Sequence, residues 1–369
     1  MKSLTPVKFV AALLLCAVLC AAGAPCADAR TVVDHNGDSV EVPEKIERIA
    51  VAGILPLPSV LTVFLGSAEK LVGIPPASMG AAKAGLLGEL FPEILKAETG
   101  YTAGADLNVE ELMKLRPDIV FYNAGNKDMG KMISNAGLPA VAISPSKWGY
   151  DVIRTYDEWI KTLSEIFPEN AKSSEVSAYS KKIYTDIQSR VKDLPADKRR
   201  KALFIFQYDD RRLITSGKSF FGQYWCDATG ALNAAEEVPA DNANAAITME
   251  QVYGWNPDVI FITNFTPVLP QDLYENRIAG HKWDNVRAVK DKAVYKMPLG
   301  TYRSYTPGVD TPVTLMWVAQ KIYPELFKDI DIKKETRDYY QKIYGITLSD
   351  EQIERMYHQG RASAEGFIK

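Results

Sequence analysis

Cysteine and histidine are scarce in this 369-residue sequence, and their scarcity excludes several kinds of site. Of its 4 Cys, only Cys226 lies beyond residue 30, so the rest of the chain cannot form an internal disulfide or a cysteine-based metal site. The 3 His are far apart, in a hairpin (His35), a loop (His281) and the last predicted helix (His358). Zinc and manganese sites need clustered His and carboxylates, so the sequence argues against a site for a bare transition-metal ion.

The sequence also lacks an excess of either charge and a long hydrophobic run. Lys+Arg number 43 and Asp+Glu 46, a net charge of −3, which excludes the basic footprint of a nucleic-acid-binding protein. The apolar run at Phe9–Ala22 is too short to be a confident membrane span. It precedes Ala27-Asp28-Ala29, a signal-peptidase pattern, so residues 1–29 are predicted to be a cleaved secretory signal. We favour this interpretation over a lipid anchor at Cys20 or Cys26.

Catalytic signature motifs are absent as well. The chain has no G-x-S-x-G elbow, no P-loop and no H-E-x-x-H, and "SGKS" at residues 216–219 lacks the upstream Gly of a Walker A loop. We therefore predict that the protein is not an enzyme. A secreted α/β enzyme with a lone nucleophile and a remote base remains the alternative of another class.

Short apolar runs alternate with helix-like stretches in two successive series. After a predicted hairpin at Thr31–Val42, turning at Asn36-Gly37, the runs are Arg48–Gly53, Leu71–Ile74, Pro117–Asn123 and Pro139–Ser144, then Lys201–Gln207, Arg212–Gly217, Pro257–Thr263 and Lys292–Pro298. This alternation is typical of α/β units with mainly parallel sheets. We predict an N-terminal lobe over residues 30–167 and a C-terminal lobe over residues 196–369.

The stretch between the lobes predicts one long helix. Val176, Tyr179, Ile183, Ile187 and Val191 recur at helical spacing and form one apolar face. Pro168 suits the first turn of such a helix and Pro195 its stop, so the linking helix is predicted over residues 168–195. A surface helix of either lobe is the alternative.

One phrase occurs twice, as "NVEELMKLRPDIVFYN" and as "TMEQVYGWNPDVIFIT". The offset from Glu110 to Glu250 is the same as that from Pro117 to Pro257, which indicates a duplicated unit. In each copy, a helix with Glu near its start should end just before Pro-Asp, and a buried strand should follow. The helix dipole alone would favour a carboxylate in a first turn, so the two Glu have an explanation that requires no function.

Taken together, these segments resemble the class III periplasmic solute-binding proteins of ABC importers. The resemblance covers nearly the whole chain after the predicted signal and is carried by the order and spacing of "VPEKIERIAV", the repeated phrases, the long helix, "SGKSFFGQYWCDATGALNAA" and "WDNVRAVKDKAVYKMP". It implies two Rossmann-like α/β lobes joined by a single interdomain helix, with a ligand cleft between the lobes. It also implies a periplasmic monomer that captures a small solute and delivers it to an ABC permease dimer.

The solute class follows only from the resemblance. An iron(III)-siderophore or similar metal chelate is the preferred ligand, with no covalently bound cofactor. Corrinoid, haem or an oxyanion such as molybdate are the alternatives, and a Tyr such as Tyr302 could ligate haem. In that family one acidic residue on each lobe engages the permease, and the matching residues here are Glu110 and Glu250.

A cleft ligand should touch the loops that follow the strands, as in other open α/β sheets. In the first lobe these are Gly53–Pro58, Pro75–Gly80, Gly100–Gly104, Tyr122–Lys127 and Ser146–Tyr150, and in the second Tyr208–Arg212, Gly217–Phe221, Asn264–Pro267 and Gly300–Gly308. The ligand-binding residues predicted from them are Arg303, Tyr302, Tyr305, Arg211, Arg212, Lys218, Tyr208, Trp148, Tyr122 and Tyr101.

Among these, Arg303 between Tyr302 and Tyr305 is the most informative, because a guanidinium matches carboxylate, catecholate or oxyanion groups. An exposed Arg with two Tyr packed on the lobe surface is the competing interpretation. Arg211, Arg212 and Lys218 could instead be solvated or paired with Asp209 or Asp210. Trp148 with Tyr150 forms either an aromatic wall of the cleft or ordinary buried packing.

Overall fold

A computed structural model describes residues 29–104, 106–239 and 245–367 of the chain. The predicted signal peptide therefore lies outside the described residues, except for Ala29. In the described ranges, no helix is both long and apolar enough to cross a membrane.

The first half of the chain forms one α/β lobe. Its strands are β1 (Ala29–Val33), β2 (Ser39–Pro43), β3 (Ile49–Ala52), β4 (Leu71–Gly73), β5 (Thr102–Ala103), β6 (Asp106–Leu107), β7 (Ile119–Asn123) and β8 (Ala140–Ile143). Its helices are α1 (Leu57–Leu65), α2 (Pro76–Ala84), α3 (Leu87–Leu90), α4 (Val109–Lys114), α5 (Lys127–Asn135) and α6 (Val152–Ile166), with a 3₁₀ turn at Pro92–Lys96. The predicted hairpin is confirmed, since β1 pairs antiparallel with β2 and Gly37 adopts a φ of 88° in the turn.

The second half forms the other lobe and begins after the long helix α7 (Ser173–Val191). Its strands are β9 (Lys201–Tyr208), β10 (Leu213–Thr215), β11 (Leu232–Asn233), β12 (Ala245–Ile247), β13 (Val259–Ile262) and β14 (Val294–Lys296). Its helices are α8 (Phe221–Thr229), α9 (Met249–Trp255), α10 (Pro270–Tyr274), α11 (Arg287–Lys290), α12 (Thr311–Ile322), α13 (Ile332–Tyr344) and α14 (Asp350–Tyr357). Shorter 3₁₀ turns occupy Pro168–Asn170, Ala196–Lys198 and Arg361–Ala364.

Each lobe is built on its own sheet. The first sheet has the order β4-β3-β7-β8 and is parallel throughout. The second has the order β12-β10-β9-β13-β14, in which β9, β13 and β14 are parallel and β10 runs antiparallel to both of its neighbours. The predicted two-lobed α/β fold is confirmed, and the second sheet is more mixed than the first.

Helix α7 packs between the lobes. The five apolar positions predicted to share a face are all buried, and they belong to a hydrophobic core cluster that contains side chains from both halves of the chain. The prediction about Pro168 is wrong, because Pro168 opens a separate 3₁₀ turn and Ala171 leaves the helical region with a ψ of 125°. Helix α7 consequently begins at Ser173, and Pro195 lies beyond its end. The exact lobe boundaries at residues 167 and 196 stay a prediction.

The repeated phrase has a structural role that recurs in both lobes. In each copy the residue before Pro has a positive φ, 48° at Arg116 and 47° at Asn256, which ends the helix. The Asp that follows Pro then accepts a hydrogen bond from the backbone N–H where the neighbouring strand begins: Asp118 Oδ2 from Arg48 N at 2.9 Å, and Asp258 Oδ2 from Lys201 N at 2.8 Å. We call these two contacts the aspartate clasps.

Backbone and side-chain contacts also tie the lobes together beside α7. Leu86 N donates to Gly300 O at 2.8 Å, and Gln352 Nε2 donates to Glu89 Oε1 at 2.7 Å. Tyr150 of the first lobe packs edge-on against Phe221 of the second, with ring centroids 5.1 Å apart. The lobes are therefore connected by several contacts besides the chain itself.

Candidate functional site

A cavity of about 1150 Å³ lies at the carboxyl ends of the first lobe's parallel strands. This volume is slightly above the range of about 300 to 1,000 Å³ that is usual for small-molecule sites. Each of the five first-lobe loops predicted to contact a ligand contributes to its lining. The lining residues are Gly53, Leu55, Pro75, Pro76, Ala77, Thr102, Ala103, Gly104, Asn123, Gly125, Asn126, Lys127, Asp128, Met129, Pro145, Ser146, Tyr150, Gly366 and Phe367.

The amino ends of two helices face this cavity. Pro76 and Ala77 open α2, and Lys127 and Asp128 open α5. Asn126 caps α5, since its Oδ1 accepts a hydrogen bond from Met129 N at 3.0 Å. Helix amino ends carry partial positive charge and free N–H groups, so their convergence favours an anionic ligand.

Several polar side chains add hydrogen-bonding capacity to the wall. Lys127 is exposed at the amino end of α5 and brings a full positive charge. Asn123 is half-buried at the end of β7, where its Oδ1 accepts from Gly125 N at 2.9 Å. Thr102 is buried, and within the described ranges its Oγ1 has no hydrogen-bond partner. A buried hydroxyl without a partner is uncommon, which makes Thr102 a candidate ligand contact.

The second half of the chain reaches the cavity through a segment that the sequence did not single out. Gly366 and Phe367 belong to the stretch Arg361–Phe367, which we call the bridging segment. Within the described ranges, none of the second-lobe loops predicted to contact a ligand lines the cavity. Tyr150 supplies the aromatic ring on the first-lobe side, whereas Trp148 does not line the cavity.

Arg303 occupies a different environment from the predicted one. Its side chain is 0% exposed, and its guanidinium donates to the carbonyl oxygens of Asn264 (2.9 Å), Ser363 (3.0 Å), Ala77 (3.0 Å) and Glu365 (2.6 Å). The surface interpretation is therefore wrong, and the predicted ligand contact is corrected as well, since Arg303 does not line the cavity. Backbone carbonyls from both lobes accept hydrogen bonds from Nε, Nη1 and Nη2, so Arg303 acts as an internal tie.

The tyrosines beside Arg303 are buried with it. Tyr302 accepts a hydrogen bond from Arg303 Nη1 at 3.4 Å, and burial raises the pKa of its phenol. Tyr305 is 0% exposed and is hydrogen-bonded to Ser216. Neither lines the cavity, because the loop Gly300–Gly308 packs inward beneath the bridging segment.

Three other predicted tyrosines belong to the lobe cores. Tyr101 donates to Val51 O, and Tyr122 accepts from Asn36 Nδ2 at 3.3 Å. Tyr208 bonds His281 Nδ1 at 2.7 Å and accepts from Trp283 Nε1 at 2.9 Å. Their phenols have partners within the protein, and none of the three lines the cavity.

The remaining cationic residues predicted for the ligand lie on the surface. Arg212 pairs with Asp209 at 3.1 Å, the alternative left open by the sequence, and Arg211 and Lys218 are exposed. Trp148 is half-buried and packs edge-on against the His35 ring, with centroids 4.9 Å apart. The structure does not bring these residues together.

Glu110 and Glu250 occupy equivalent positions, each exposed in the first turn of its helix, α4 and α9 respectively. The backbone N–H and the Thr248 hydroxyl lower the pKa of Glu250, as expected at a helix amino end. Their predicted docking role remains a prediction.

Metal ligands are not clustered in this structure. Across residues 29–104, 106–239 and 245–367 there is no group of His, Cys, Asp and Glu side chains arranged to hold a metal ion. Cys226 is buried, and burial raises its thiol pKa. Besides the exposed carboxylate of Asp128, the cavity offers N–H, hydroxyl, amide and ammonium donors, which suit the anionic groups of a ligand.

A protein family described as periplasmic binding protein matches residues 58–299 of the chain. Among curated proteins, the chain is 28% identical over 346 residues to the molybdate-binding protein MolA of Haemophilus influenzae, with 85% of this chain and 91% of the relative covered. It is 23% identical over 241 residues to the Fe(3+)-citrate-binding protein YfmC of Bacillus subtilis, covering 64% of this chain and 71% of the relative.

A solved structure supports the same architecture. A periplasmic solute-binding protein from Veillonella parvula superposes with a TM-score of 0.79 at 27% identity, covering 89% of this chain and 97% of the other. The similarity thus extends over both lobes and α7.

Proposed function

The chain belongs to the periplasmic binding protein family, and from that premise we propose that it is the solute receptor of an ABC importer, exported to the periplasm and acting as a monomer. Its solute is an anionic metal chelate, of which an iron(III)-siderophore or iron(III) citrate is the representative. The observation that supports this proposal most is the convergence of the amino ends of α2 and α5, with Lys127, on one large cavity.

The donors and the volume of the cavity favour a chelate over a bare cation. Backbone N–H groups, the Thr102 hydroxyl and the Lys127 ammonium are donors, which bind carboxylate or catecholate oxygens rather than the metal itself. Apolar walls from Leu55, Met129 and Phe367 suit the organic part of a chelate. The relative named as an Fe(3+)-citrate-binding protein agrees with this class.

An oxyanion of the molybdate type is the second candidate. The same helix amino ends would hold such an ion, and the relative at 28% identity is named as a molybdate-binding protein. The two candidates differ in size, since an oxyanion fills a small fraction of about 1150 Å³ whereas a chelate occupies much of it. Haem and corrinoid are weaker candidates, because no His and one phenol, Tyr150, line the cavity among the described residues.

Delivery would use the two exposed carboxylates at equivalent places on the lobes. Glu110 and Glu250 each project from the first turn of a helix that precedes an aspartate clasp. A permease dimer with two-fold symmetry presents the same pocket twice, and a receptor with an internal repeat can meet it with the same contact twice.

Calorimetric titration of the purified protein tests the proposal. Iron(III) citrate, an anionic iron(III) tris-catecholate, molybdate, haem and a corrinoid are titrated separately, and the recovered solute is checked by mass spectrometry. We expect an iron(III) chelate to bind most tightly and to return unchanged. Tighter binding of molybdate would select the second candidate, and chemical conversion of any solute would favour an enzyme.

Two lysines of α5 supply a matched pair of variants. Lys127 lines the cavity, whereas Lys131, one turn later, lies outside it and pairs with Asp128 at 3.6 Å. Lys127→Ala should weaken chelate binding by roughly three- to tenfold, since an exposed charge contact contributes about 1 kcal/mol. Lys131→Ala should change the affinity by less than about threefold, because it only removes an exposed partner of the Asp128 carboxylate. Equal effects of the two substitutions would count against this cavity as the ligand site.

A further inference from the structure

The bridging segment is attached to the second lobe by an ion pair with a buried partner. Arg361 donates through Nη1 to Asp272 Oδ2 at 2.8 Å and through Nη2 to Asp272 Oδ1 at 2.6 Å. Asp272 is 2% exposed, so its carboxylate depends on such donors for its hydrogen bonds. This bidentate pair fixes the beginning of the segment in place.

From there the segment crosses to the first lobe, where its backbone packs directly against the backbone of α2. A Cβ built on Gly80 would lie 2.2 Å from Glu365 O, and one built on Gly366 would lie 2.9 Å from Pro76 O. Gly366 also has a φ of 75°, a conformation that side chains rarely adopt. Glycine on both sides of the contact therefore permits an approach that any other residue would prevent.

Arg303 fastens the middle of the same segment. Its guanidinium donates to Ser363 O and Glu365 O within the segment and to Ala77 O at the start of α2. One buried cation thus holds the second lobe, the bridging segment and the amino end of α2 together.

The far end of the segment faces the cavity. Phe367 lies against Phe265, with centroids 4.7 Å apart, and against Phe206 at 6.1 Å, so second-lobe aromatics support its ring from behind. Gly366 and Phe367 both line the cavity, as do the first residues of α5. We propose that the bridging segment is the second-lobe wall of the solute cavity and that Phe367 limits the size of the solute admitted. The size limit rests on the proposed function, whereas the wall itself does not.

A brace that merely joined the lobes would affect stability without affecting access to the cavity. A wall makes a different prediction, because releasing it must open the cavity to larger molecules. The structure provides a matched pair of arginines, since Arg277 also pairs with Asp272, at 3.6 Å, but lies outside the bridging segment. Arg361→Ala should free the start of the segment and loosen the wall, which is then held only by Arg303 and by the contacts of residues 365–367. Arg277→Ala should not loosen it.

Access can be measured without knowing the solute. Leu55 is half-buried and lines the cavity, so Leu55→Cys places a thiol inside it, and peptide mass mapping identifies label at that position. Labelling rates are compared for N-methylmaleimide and for the bulkier N-(1-pyrenyl)maleimide. We expect Arg361→Ala to raise the bulky-to-small rate ratio by about tenfold or more, since tenfold corresponds to the loss of about one charge-assisted hydrogen bond. Arg277→Ala should leave the ratio within about threefold. The same ratio in both variants would overturn the wall.

The size limit is tested on Phe367 itself. Phe367→Ala should raise the affinity for an iron(III) tris-catecholate relative to that for iron(III) citrate by about tenfold, the scale of steric discrimination in a pocket. Tyr253→Ala removes an exposed ring elsewhere on the second lobe and should leave the ratio unchanged. An unchanged ratio in Phe367→Ala would overturn the role of Phe367. If the wild type binds neither chelate, the proposed function fails, and the labelling experiment still decides on the wall.

Discussion

Replacing Arg303 with alanine should destabilise the protein, and the environment of the side chain sets the scale. The substitution removes a guanidinium that is 0% exposed and leaves the carbonyl oxygens of Asn264, Ser363, Ala77 and Glu365 without that donor. Hydrogen bonds to charged groups contribute about 1.5 to 3 kcal/mol each and are not additive. Relief of the buried charge offsets part of the loss, so we expect the free energy of unfolding to fall by about 3 to 5 kcal/mol.

Guanidinium chloride unfolding, followed by circular dichroism, measures this loss. Two variants serve as controls. Arg303→Lys keeps the charge and some donors but loses the fork, so its stability should lie between those of the wild type and the alanine variant. Arg211→Ala removes an exposed arginine and should change the free energy of unfolding by less than about 0.5 kcal/mol.

The result that would refute this reasoning is specific. If Arg303→Ala unfolds at the wild-type denaturant midpoint and loses chelate affinity instead, Arg303 contacts the ligand, as the sequence predicted. A large stability loss that Arg303→Lys partly restores would support the internal tie.

Three further predictions concern docking, motion and pH. Substituting both Glu110 and Glu250 with Ala should leave solute affinity and stability nearly unchanged but reduce uptake in cells. The reason is that desolvated ion pairs in an interface couple by roughly 1.5 kcal/mol or more. Normal uptake would leave only the helix-dipole explanation. Small-angle scattering should show little change in radius of gyration on solute binding, since α7 and the bridging segment both join the lobes; a large decrease would contradict this. Burial, together with the charge of Lys147, lowers the pKa of His35 to about 4 from an ordinary value of 6.5. Stability should therefore fall as pH drops from 6.5 towards 4, by roughly 2 to 3 kcal/mol, and His35→Gln should flatten that slope in denaturant titrations.

Periodicity was enough to predict most of the fold. The eight predicted core strands are present, because buried strands leave short continuous apolar runs and the intervening helices end at Pro or Gly signals. The helix face containing Val176 and Ile187 is buried as its spacing predicts. What periodicity could not predict was that Pro168 starts a separate 3₁₀ turn, since a proline suits the first turn of either kind of helix.

The sequence predicted only the first-lobe side of the cavity. The first-lobe loops could be anticipated because parallel strands direct their following loops to a common edge. On the second-lobe side the same rule failed, because the bridging segment covers the loop that carries Arg303 and its Tyr neighbours. Contacts between a distant segment and a loop leave no periodic pattern in the sequence. Gly80 and Gly366, which allow the close approach, mark this contact in the sequence, but neither is distinguishable there from an ordinary turn glycine.

The aspartate clasps have a consequence for the order in which the protein can fold. Each clasp joins residues of a single lobe, and all strands of the first sheet precede Ser144 in the chain. During synthesis or export, the first sheet can therefore close before β9 has emerged. The bridging segment, which follows every strand, reaches back to Ala77 and Gly80 only afterwards. The cavity is then completed last, when the two assembled lobes come together.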